Sequence, residues 1–308
     1  MADATSLDPS TYDELGLFHE NAAEVGLEWH GPPSVRRVET DVGGGRSLSA
    51  LRWGTDAPQV VFLHGGGQNA HTWDTVLLAL GRPALCVDLP GHGHSGDVDA
   101  NRPIGPRAFA EDVAVVVREH APNAALVVGM SLGGLTAIEL ATVAPELVRK
   151  LALVDVTPGT DREKASDIVA FLAGPESFES FDEILERTVA FNPTRSELSL
   201  RRGILHNAYA RDDGRWVWRH QRGGPAGGGT VERTDLDFRD LWDDVAGIQV
   251  PILLLLGDRS PVVDDADVAM FLERQPDAEV VTVEDAGHSI QGDQPLVLAD
   301  HLDRLLDR

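Results

Sequence analysis

The sequence predicts an α/β fold with a mostly parallel, doubly wound sheet and an inserted helical cap. Short apolar runs typical of buried strands alternate with helical patterns through residues 1–158, and this alternation returns over residues 245–308. Between the two parts, residues 159–244 show apolar residues at helical spacing. Strands that alternate with helices favour crossover connections, so we expect one core in two parts, with helices on both faces and one helical cap.

Length and composition agree with one large domain of this class. The chain has 308 residues, 42% of them hydrophobic, which is enough for a sizeable core and an inserted subdomain. A formal charge of −24 argues against general electrostatic binding of nucleic acid. The single cysteine, Cys86, lies in an apolar run, so we expect a buried thiol that forms no internal disulfide.

The first residues and the longest apolar runs indicate where in the cell the protein is located. The opening MADATSLDPSTYDE is polar and acidic, without the basic region and apolar core of a signal peptide. The longest aliphatic runs, such as residues 252–256, are too short to span a bilayer. We therefore expect a cytoplasmic protein without stable membrane insertion.

The elements of the first core part follow in chain order. Residues 11–26 have the apolar spacing of an amphipathic helix. Apolar and polar residues then alternate on both sides of Gly43-Gly44-Gly45, which predicts a hairpin with a glycine-rich turn. Strands are predicted at residues 59–63, 83–87, 125–128 and 151–154, and helices at residues 72–80, at residues 109–120 and after residue 134.

The cap region and the second core part complete the chain. The cap has apolar residues at helical spacing, then Trp216-Val217-Trp218 and a glycine-rich stretch at residues 223–229. We expect helices that end in a mobile loop. Beyond the cap, strands are predicted at residues 251–256 and 279–283, and helices at residues 268–274 and 296–306.

One stretch carries the strongest functional signal. The predicted strand at residues 125–128 leads into Gly129-Met130-Ser131-Leu132-Gly133, a G-x-S-x-G match, and a helical pattern follows. In this context the motif exposes its serine as a nucleophile on a strained turn. A side chain at either outer glycine would collide with the neighbouring strand or helix. The alternative is a serine that only caps the helix; the context favours Ser131 as the nucleophile.

A serine hydroxyl is a weak nucleophile until a base removes its proton. His288 is the best candidate base, because it follows Gly287 in a turn just after the last predicted strand, where a loop can place the imidazole above Ser131. The other histidines have plainer interpretations, namely bracing of loops for His64, His92 and His94, and at most substrate contact for His206 and His220.

Four motifs together resemble the α/β-hydrolase fold, and especially its bacterial carboxylesterases. They are HGGG and DLPGHGHS after two successive strands, GMSLGG at the serine and DAGHS after the last strand. The resemblance covers nearly the whole chain except the N-terminal helix and much of the cap. It implies an oxyanion hole formed by the backbone amides of Gly66 and Leu132. Glycines in the first motif let the backbone approach the substrate.

A catalytic triad needs an acid beside the serine and the histidine. The position of this acid departs from the family pattern. The resemblance implies an acid three residues after Gly257, but this position is Ser260, and Asp258 comes two positions early. Asp155 follows the strand after the serine, a position that some family members use. Both aspartates keep the chain order serine, acid, histidine. We favour Asp155, because it emerges beside Ser131 on a rigid strand, and keep Asp258 as the alternative.

These residues predict a serine esterase that cleaves small-molecule carboxylic esters through an acyl-enzyme. No metal or cofactor is expected, because the sequence has no cysteine–histidine cluster of metal-ligand spacing. A thioesterase, a lactonase or a C–C bond hydrolase with the same triad is the alternative within the class. A non-catalytic ligand-binding protein on the same scaffold is the alternative outside it. The acyl chain, the alcohol and the oligomeric state stay open.

Overall fold

A computed structural model describes residues 12–98, 104–161, 163–193, 195–220 and 237–308 of the chain. The glycine-rich stretch at residues 223–229, predicted to be a loop, lies outside the described residues. In the part of the chain that the structure covers, no helix has both the length and the apolar character needed to cross a bilayer.

Eight strands form one sheet within the described residues, in the order β1-β2-β4-β3-β5-β6-β9-β10. The strands are β1 (Val35–Gly43), β2 (Arg46–Trp53), β3 (Val60–Leu63), β4 (Ala84–Val87), β5 (Leu126–Met130), β6 (Leu151–Val154), β7 (Ala208–Ala210), β8 (Trp216–Trp218), β9 (Ile252–Gly257) and β10 (Glu279–Val283). Pairing is antiparallel between β1 and β2 and between β2 and β4. It is parallel from β4 through to β10. The predicted mostly parallel sheet and its N-terminal hairpin are confirmed.

Helices cover both faces of this sheet. They are α1 (Phe18–Glu24), α2 (Asp74–Leu80), α3 (Pro106–His120), α4 (Leu132–Val143), α5 (Ser166–Leu172), α6 (Phe181–Phe191), α7 (Glu197–Asn207), α8 (Leu241–Gly247), α9 (Asp265–Arg274), α10 (Ile290–Asp293) and α11 (Pro295–Leu306), with 3-10 turns at Ala70–Trp73 and Pro145–Leu147. Side chains alternate across a strand, so Val61 and Leu63 join the core cluster with α3, α4 and α8. Val60 and Phe62 join the opposite cluster with α2 and α11.

The N-terminal helix is shorter than the predicted span of residues 11–26. It begins only at Phe18. Before it, the Asp13 carboxylate accepts a hydrogen bond from the Leu15 amide, and the Gly16 amide donates to the Asp13 carbonyl. Aspartate side chains that bind nearby amides favour turns over helices, which explains the late start.

The segment inserted between β6 and β9 has its own apolar cluster. Residues of α6 and α7 form most of it, and Phe178 and the N-terminal Leu17 join them. Sequence analysis did not predict the short hairpin of β7 and β8 in this segment. Gly214 has φ of +82°, and its amide donates to the Arg211 carbonyl, so a tight glycine turn closes the hairpin.

Helix α8 spans residue 244, the predicted end of the cap. Its Leu241 and Trp242 belong to the cluster under the sheet, and the helix packs against α4. By these contacts the whole helix packs with the core rather than with the inserted segment.

Parallel strands bring their carboxyl ends to one edge of the sheet. His64 follows β3, Ser131 follows β5 and Asp155 follows β6. Asp258 follows β9, and the loop after β10 leads to His288. Ligands of open α/β sheets bind at this edge, and the topology gathers the candidate residues there although they are far apart in sequence.

Candidate active site

Ser131 occupies a sharp turn between β5 and α4. Its backbone has φ of +51° and ψ of −120°, a conformation that residues with a side chain rarely adopt. The Ser131 side chain makes no capping hydrogen bond with α4, so helix capping does not explain why a serine stands here. Such backbone strain at a non-glycine residue is a common mark of functional sites.

The two glycines that flank this turn are held by close backbone contacts. A Cβ on Gly129 would lie 2.4 Å from the carbonyl oxygen of Gly133, and one on Gly133 would lie 2.2 Å from the carbonyl oxygen of Leu63. Real Cβ atoms do not approach this closely, and backbone atoms cannot move aside as a side chain can. The predicted collision is therefore confirmed at both positions.

His64 joins the loops that follow β3 and β4. Its side chain is fully buried, its Nδ1 lies 2.8 Å from the carbonyl oxygen of Gly65, and its Nε2 accepts the Leu89 amide at 2.9 Å. Burial lowers the pKa of His64, which favours a neutral ring that donates from Nδ1 and accepts at Nε2. The prediction that His64 orders the following loop is confirmed.

This loop lies directly against the serine turn. A Cβ on Gly65 would be 2.4 Å from Sδ of Met130 and 3.4 Å from Cβ of Ser131. A Cβ on Gly66 would be 3.9 Å from Cδ2 of Leu132. Leu132 begins α4, and the amides of a first helical turn have no partner within the helix. The Leu132 amide thus directly follows Ser131 in the chain, and Gly66 lies near the Leu132 side chain.

His288 pairs with Asp155 rather than with Asp258. Its Nδ1 lies 2.7 Å from Oδ2 of Asp155, whose carboxylate is buried. The amide of Gly257 donates to the other oxygen of Asp155 at 3.1 Å. Asp155 also has a positive φ, +52°, directly after β6. A buried, hydrogen-bonded carboxylate of this kind fixes the orientation of an imidazole.

Asp258 and Ser260 have other contacts. The exposed Asp258 accepts the Ala286 amide at 3.0 Å, so its side chain braces the loop that precedes His288. The hydroxyl of Ser260 donates to Oδ2 of Asp155, the oxygen that also contacts His288. Sequence reasoning treated Ser260 only as the residue that replaces an expected acid and missed this contact.

The Nε2 atom of His288 is buried and has no hydrogen-bond partner among the described residues. Since Nδ1 faces Asp155, Nε2 is the ring atom left to exchange a proton with another group. The loop around it is fixed by the Gly287 amide, which donates to the Asp293 carboxylate at 2.9 Å.

Gln68 is a second residue that sequence reasoning missed. Its Oε1 accepts the Gly65 amide at 3.1 Å, and its Nε2 donates to the Ser289 hydroxyl at 3.5 Å. The side chain therefore connects the glycine loop to the loop of His288. The position of Gln68 directly after the three glycines could have suggested a role in this loop. The sequence alone does not show that its side chain contacts Ser289.

The inserted segment contacts the same glycine loop. A Cβ on Gly67 would lie 2.4 Å from Cδ2 of Leu172, at the end of α5. Asn207, at the end of α7, donates from Nδ2 to the carbonyl oxygen of Gly67 at 2.5 Å. Both contacts place the insert beside the loop that carries Gly66.

The comparisons with known proteins agree with this architecture. The chain is 47% identical over 304 residues to Esterase Rv0045c of Mycobacterium tuberculosis, and the alignment covers 96% of each protein. It is 30% identical to the pimeloyl-[acyl-carrier protein] methyl ester esterase of Aeromonas hydrophila, over 79% of this chain and 92% of that protein.

A solved structure of the M. tuberculosis esterase, from work on its transition metal inhibition and structural refinement, superposes with a TM-score of 0.83. It has 46% sequence identity and covers 97% of this chain and 100% of that one. The model of the alpha/beta hydrolase family matches residues 60–301, and the chain belongs to that family.

Proposed function

We propose that this chain is a serine esterase that hydrolyses carboxylic esters through an acyl-enzyme on Ser131. The observation that carries the proposal is the 2.7 Å contact of His288 with the buried Asp155, at the sheet edge where the strained serine turn lies. The M. tuberculosis relative is an esterase, and the A. hydrophila relative is a methyl ester esterase. These names support an ester as the substrate.

In the first half of the reaction, Oγ of Ser131 attacks the ester carbonyl carbon and its proton passes to Nε2 of His288. The Asp155 carboxylate stabilises the imidazolium that forms. The carbonyl oxygen becomes an oxyanion, which the amides of Gly66 and Leu132 stabilise. When the carbon–oxygen bond to the alcohol breaks, His288 returns the proton to the leaving alkoxide, and the acyl group stays on Ser131.

In the second half, a water molecule replaces the alcohol. His288 removes a proton from the water as it attacks the acyl carbon, and the oxyanion forms in the same place. Collapse of this intermediate breaks the bond to Ser131, which recovers its proton from His288. The products are the alcohol and the carboxylic acid.

We further propose that the inserted segment, predicted to span residues 159–244 and bounded by the contacts of α8 before residue 241, acts as a cap that selects the acyl chain. Leu172 and Asn207 contact Gly67, one residue from the proposed oxyanion donor Gly66. Phe171 and Phe191 stack with ring centroids 4.2 Å apart, and Phe171 also packs near Trp218. An aromatic and aliphatic segment beside the reacting carbonyl favours an apolar acyl group.

The same proposal includes a small-molecule ester as partner, no nucleic-acid partner, no stable membrane insertion and the cytoplasmic location expected from the sequence. The charge of −24 supports the exclusion of nucleic acid. Cell fractionation followed by detection of the chain tests the location.

A fluorophosphonate probe tests the nucleophile directly, because it phosphonylates only an activated serine hydroxyl. We expect the wild-type chain to gain one probe mass, on the peptide that contains Ser131, and the Ser131→Ala variant to gain none. A panel of acyl esters of graded length then gives the substrate range. A probe-labelled chain that hydrolyses thioesters or lactones in preference to esters would refute the esterase proposal while keeping the nucleophile.

A further inference from the structure

Gln68 closes the glycine loop twice, once with its backbone and once with its side chain. Its amide donates to the carbonyl oxygen of Gly65 at 3.2 Å, and Gly67 between them has φ of +74°. This bond and this left-handed glycine are the features of a type II turn. The side chain then folds back over the turn, and its Oε1 accepts the Gly65 amide at 3.1 Å. One residue therefore holds both the amide and the carbonyl of Gly65.

The hold on the Gly65 carbonyl determines the direction of the Gly66 amide. The two groups belong to one peptide unit, which is planar and trans, so its C=O and N–H bonds point in opposite directions. The Gly65 oxygen lies 2.8 Å from Nδ1 of His64 and also accepts the Gln68 amide. The Gly66 N–H therefore points away from both donors. It donates to no atom of the described residues, which leaves it available to an oxyanion.

The same side chain also reaches the loop of the proposed base. Nε2 of Gln68 donates to the hydroxyl of Ser289, the residue after His288, at 3.5 Å. From α10, the buried Gln291 donates from its Nε2 to Oε1 of Gln68 at 3.4 Å. Gln68 therefore lies between the loop of Gly66 and the loop of His288 and bonds to both.

We propose that Gln68 is a positioning residue for the esterase reaction, and that its side chain sets the Gly66 amide at the distance from His288 that the transition state requires. This role rests on the proposed function, in which both groups act on the same carbonyl group of the ester. His288 moves the proton, and the Gly66 amide stabilises the oxyanion. A side chain that bonds to both loops fixes the separation of the two groups before the substrate arrives.

The chemistry of the side chain suits this role. A glutamine amide carries an acceptor and a donor on one planar group, so it can accept the Gly65 amide and donate to Ser289 at once. Methionine has a similar length but offers neither a strong acceptor nor a donor. In a Gln68→Met variant the Gly65 amide loses its acceptor, and the two loops lose their bond. A Gln68→Glu variant keeps the acceptor and adds a negative charge near the oxyanion.

The test is steady-state kinetics on one short ester together with a pair of matched inhibitors. A trifluoromethyl ketone adds to Ser131 and forms an oxyanion, whereas the corresponding carbinol binds without reaction. Gln68→Met should lower kcat by roughly 100-fold with little change in KM, since the loss of one oxyanion donor costs about 10²–10³-fold in kcat. This variant should bind the ketone more weakly by about the same factor, and the carbinol as tightly as the wild-type chain.

Two further variants show whether the effect comes from the contacts of Gln68. Gln249→Met is the matched control, because Gln249 is an exposed glutamine whose side chain donates to the Gly247 carbonyl, and it should match the wild-type chain in every measurement. Ser289→Ala removes only the bond to the loop of the base and should lower kcat by roughly 5-fold. Added to Gln68→Met, it should have almost no further effect, because both changes break the same bond.

Gln68→Glu keeps the test valid if Gln68→Met does not fold. Its charge should weaken the ketone adduct by at least about 10-fold relative to the carbinol. Normal kcat and normal ketone affinity in the Gln68 variants would overturn the positioning role. Equal losses for ketone and carbinol would also overturn it, because they indicate a general structural defect.

These outcomes are distinct from a failure of the proposed function. If the Gln68 variants behave as the wild-type chain does, while that chain hydrolyses esters and takes up the fluorophosphonate probe on Ser131, the esterase proposal stands and the positioning role falls. A wild-type chain that takes up no probe and hydrolyses no ester would instead refute the proposed function, and the role of Gln68 with it.

Discussion

The hydroxyl of Ser260 donates a hydrogen bond to Oδ2 of Asp155, the same oxygen that lies 2.7 Å from Nδ1 of His288. The serine at the position where the family pattern implies an acid thus supports an acid that comes from another strand. Asp155 consequently has three partners, Ser260, His288 and the Gly257 amide. These three contacts fix the position of the carboxylate beside the imidazole.

Asp155→Asn should reduce kcat by roughly 10⁴-fold with little change in KM, because the amide can hold the ring only in the wrong tautomer. Asp258→Asn is the matched control and should have a mild effect, since the Asp258 carboxylate accepts the Ala286 amide, whereas His288 contacts Asp155. Steady-state kinetics on one short ester measures both variants. The opposite ranking would make Asp258 the acid.

Ser260→Ala should lower kcat by about 10-fold, because a hydrogen bond to a charged group contributes roughly 1.5–3 kcal/mol. Ser260→Thr keeps the hydroxyl and should retain most of the activity. The same kinetic assay compares the two variants. Equal losses in both would mean that the size of the side chain, rather than the hydrogen bond, matters at this position.

Ser131→Ala and Ser131→Gly should both lose ester turnover, by about 10⁶-fold for a triad nucleophile. They should differ in stability. Alanine keeps the strain of a positive φ, whereas glycine relieves it, so the glycine variant should be more stable than the alanine variant by roughly 1 kcal/mol. Urea unfolding measures the difference, and an alanine variant of equal or greater stability would contradict the strain argument.

Gly133→Ala should destabilise the fold severely, because its Cβ would lie 2.2 Å from the Leu63 carbonyl oxygen and 2.5 Å from that of His64. Gly203→Ala is the matched control in α7, where an added Cβ meets nothing within 4 Å. It should stabilise the chain by up to about 1 kcal/mol, the helix preference for alanine. Thermal unfolding of the two variants gives the comparison, and a Gly133→Ala chain of normal stability would refute the packing argument.

Leu172→Ala should change selectivity among long and branched acyl esters more than activity on the smallest ester, because Leu172 lies against Gly67 beside the proposed site. Leu198→Ala is the control, since Leu198 is an exposed leucine of the same segment. Ratios of kcat/KM across an ester panel measure the effect. A uniform loss on every ester would mean that the segment supports the fold without selecting substrates.

Local signals in the sequence were sufficient to predict much of the core. Gly129 and Gly133 lie in one short motif, and both are held by the backbone contacts that the G-x-S-x-G turn itself implies. Ser260 and Gln68 were missed, because their partners lie 105 and 221 residues away along the chain. Only the folded sheet brings such pairs together.

The same limit applies to the contacts of His71, which bonds to Asp74 at 2.9 Å and stacks on the His206 ring at 3.8 Å. His71 and Asp74 lie three residues apart, a spacing of no distinctive pattern, and His206 comes from the insert, where it was expected at most to touch substrate. The late start of α1 was missed for a local reason, namely the hydrogen bond between the Asp13 side chain and the Leu15 amide.

The place where the inserted segment leaves and rejoins the sheet has an evolutionary consequence. It leaves after β6 at the carboxyl edge of the sheet, and α8, which packs with the core, leads back to the start of β9, the parallel neighbour of β6. An insertion before α8 therefore leaves the sheet unchanged. Its apolar residues bury one another, with Leu17 and Tyr12 as contacts from the N-terminal region. Recombination could therefore exchange or lengthen this segment while the reacting groups stay in register, provided that the graft brings partners for these two residues.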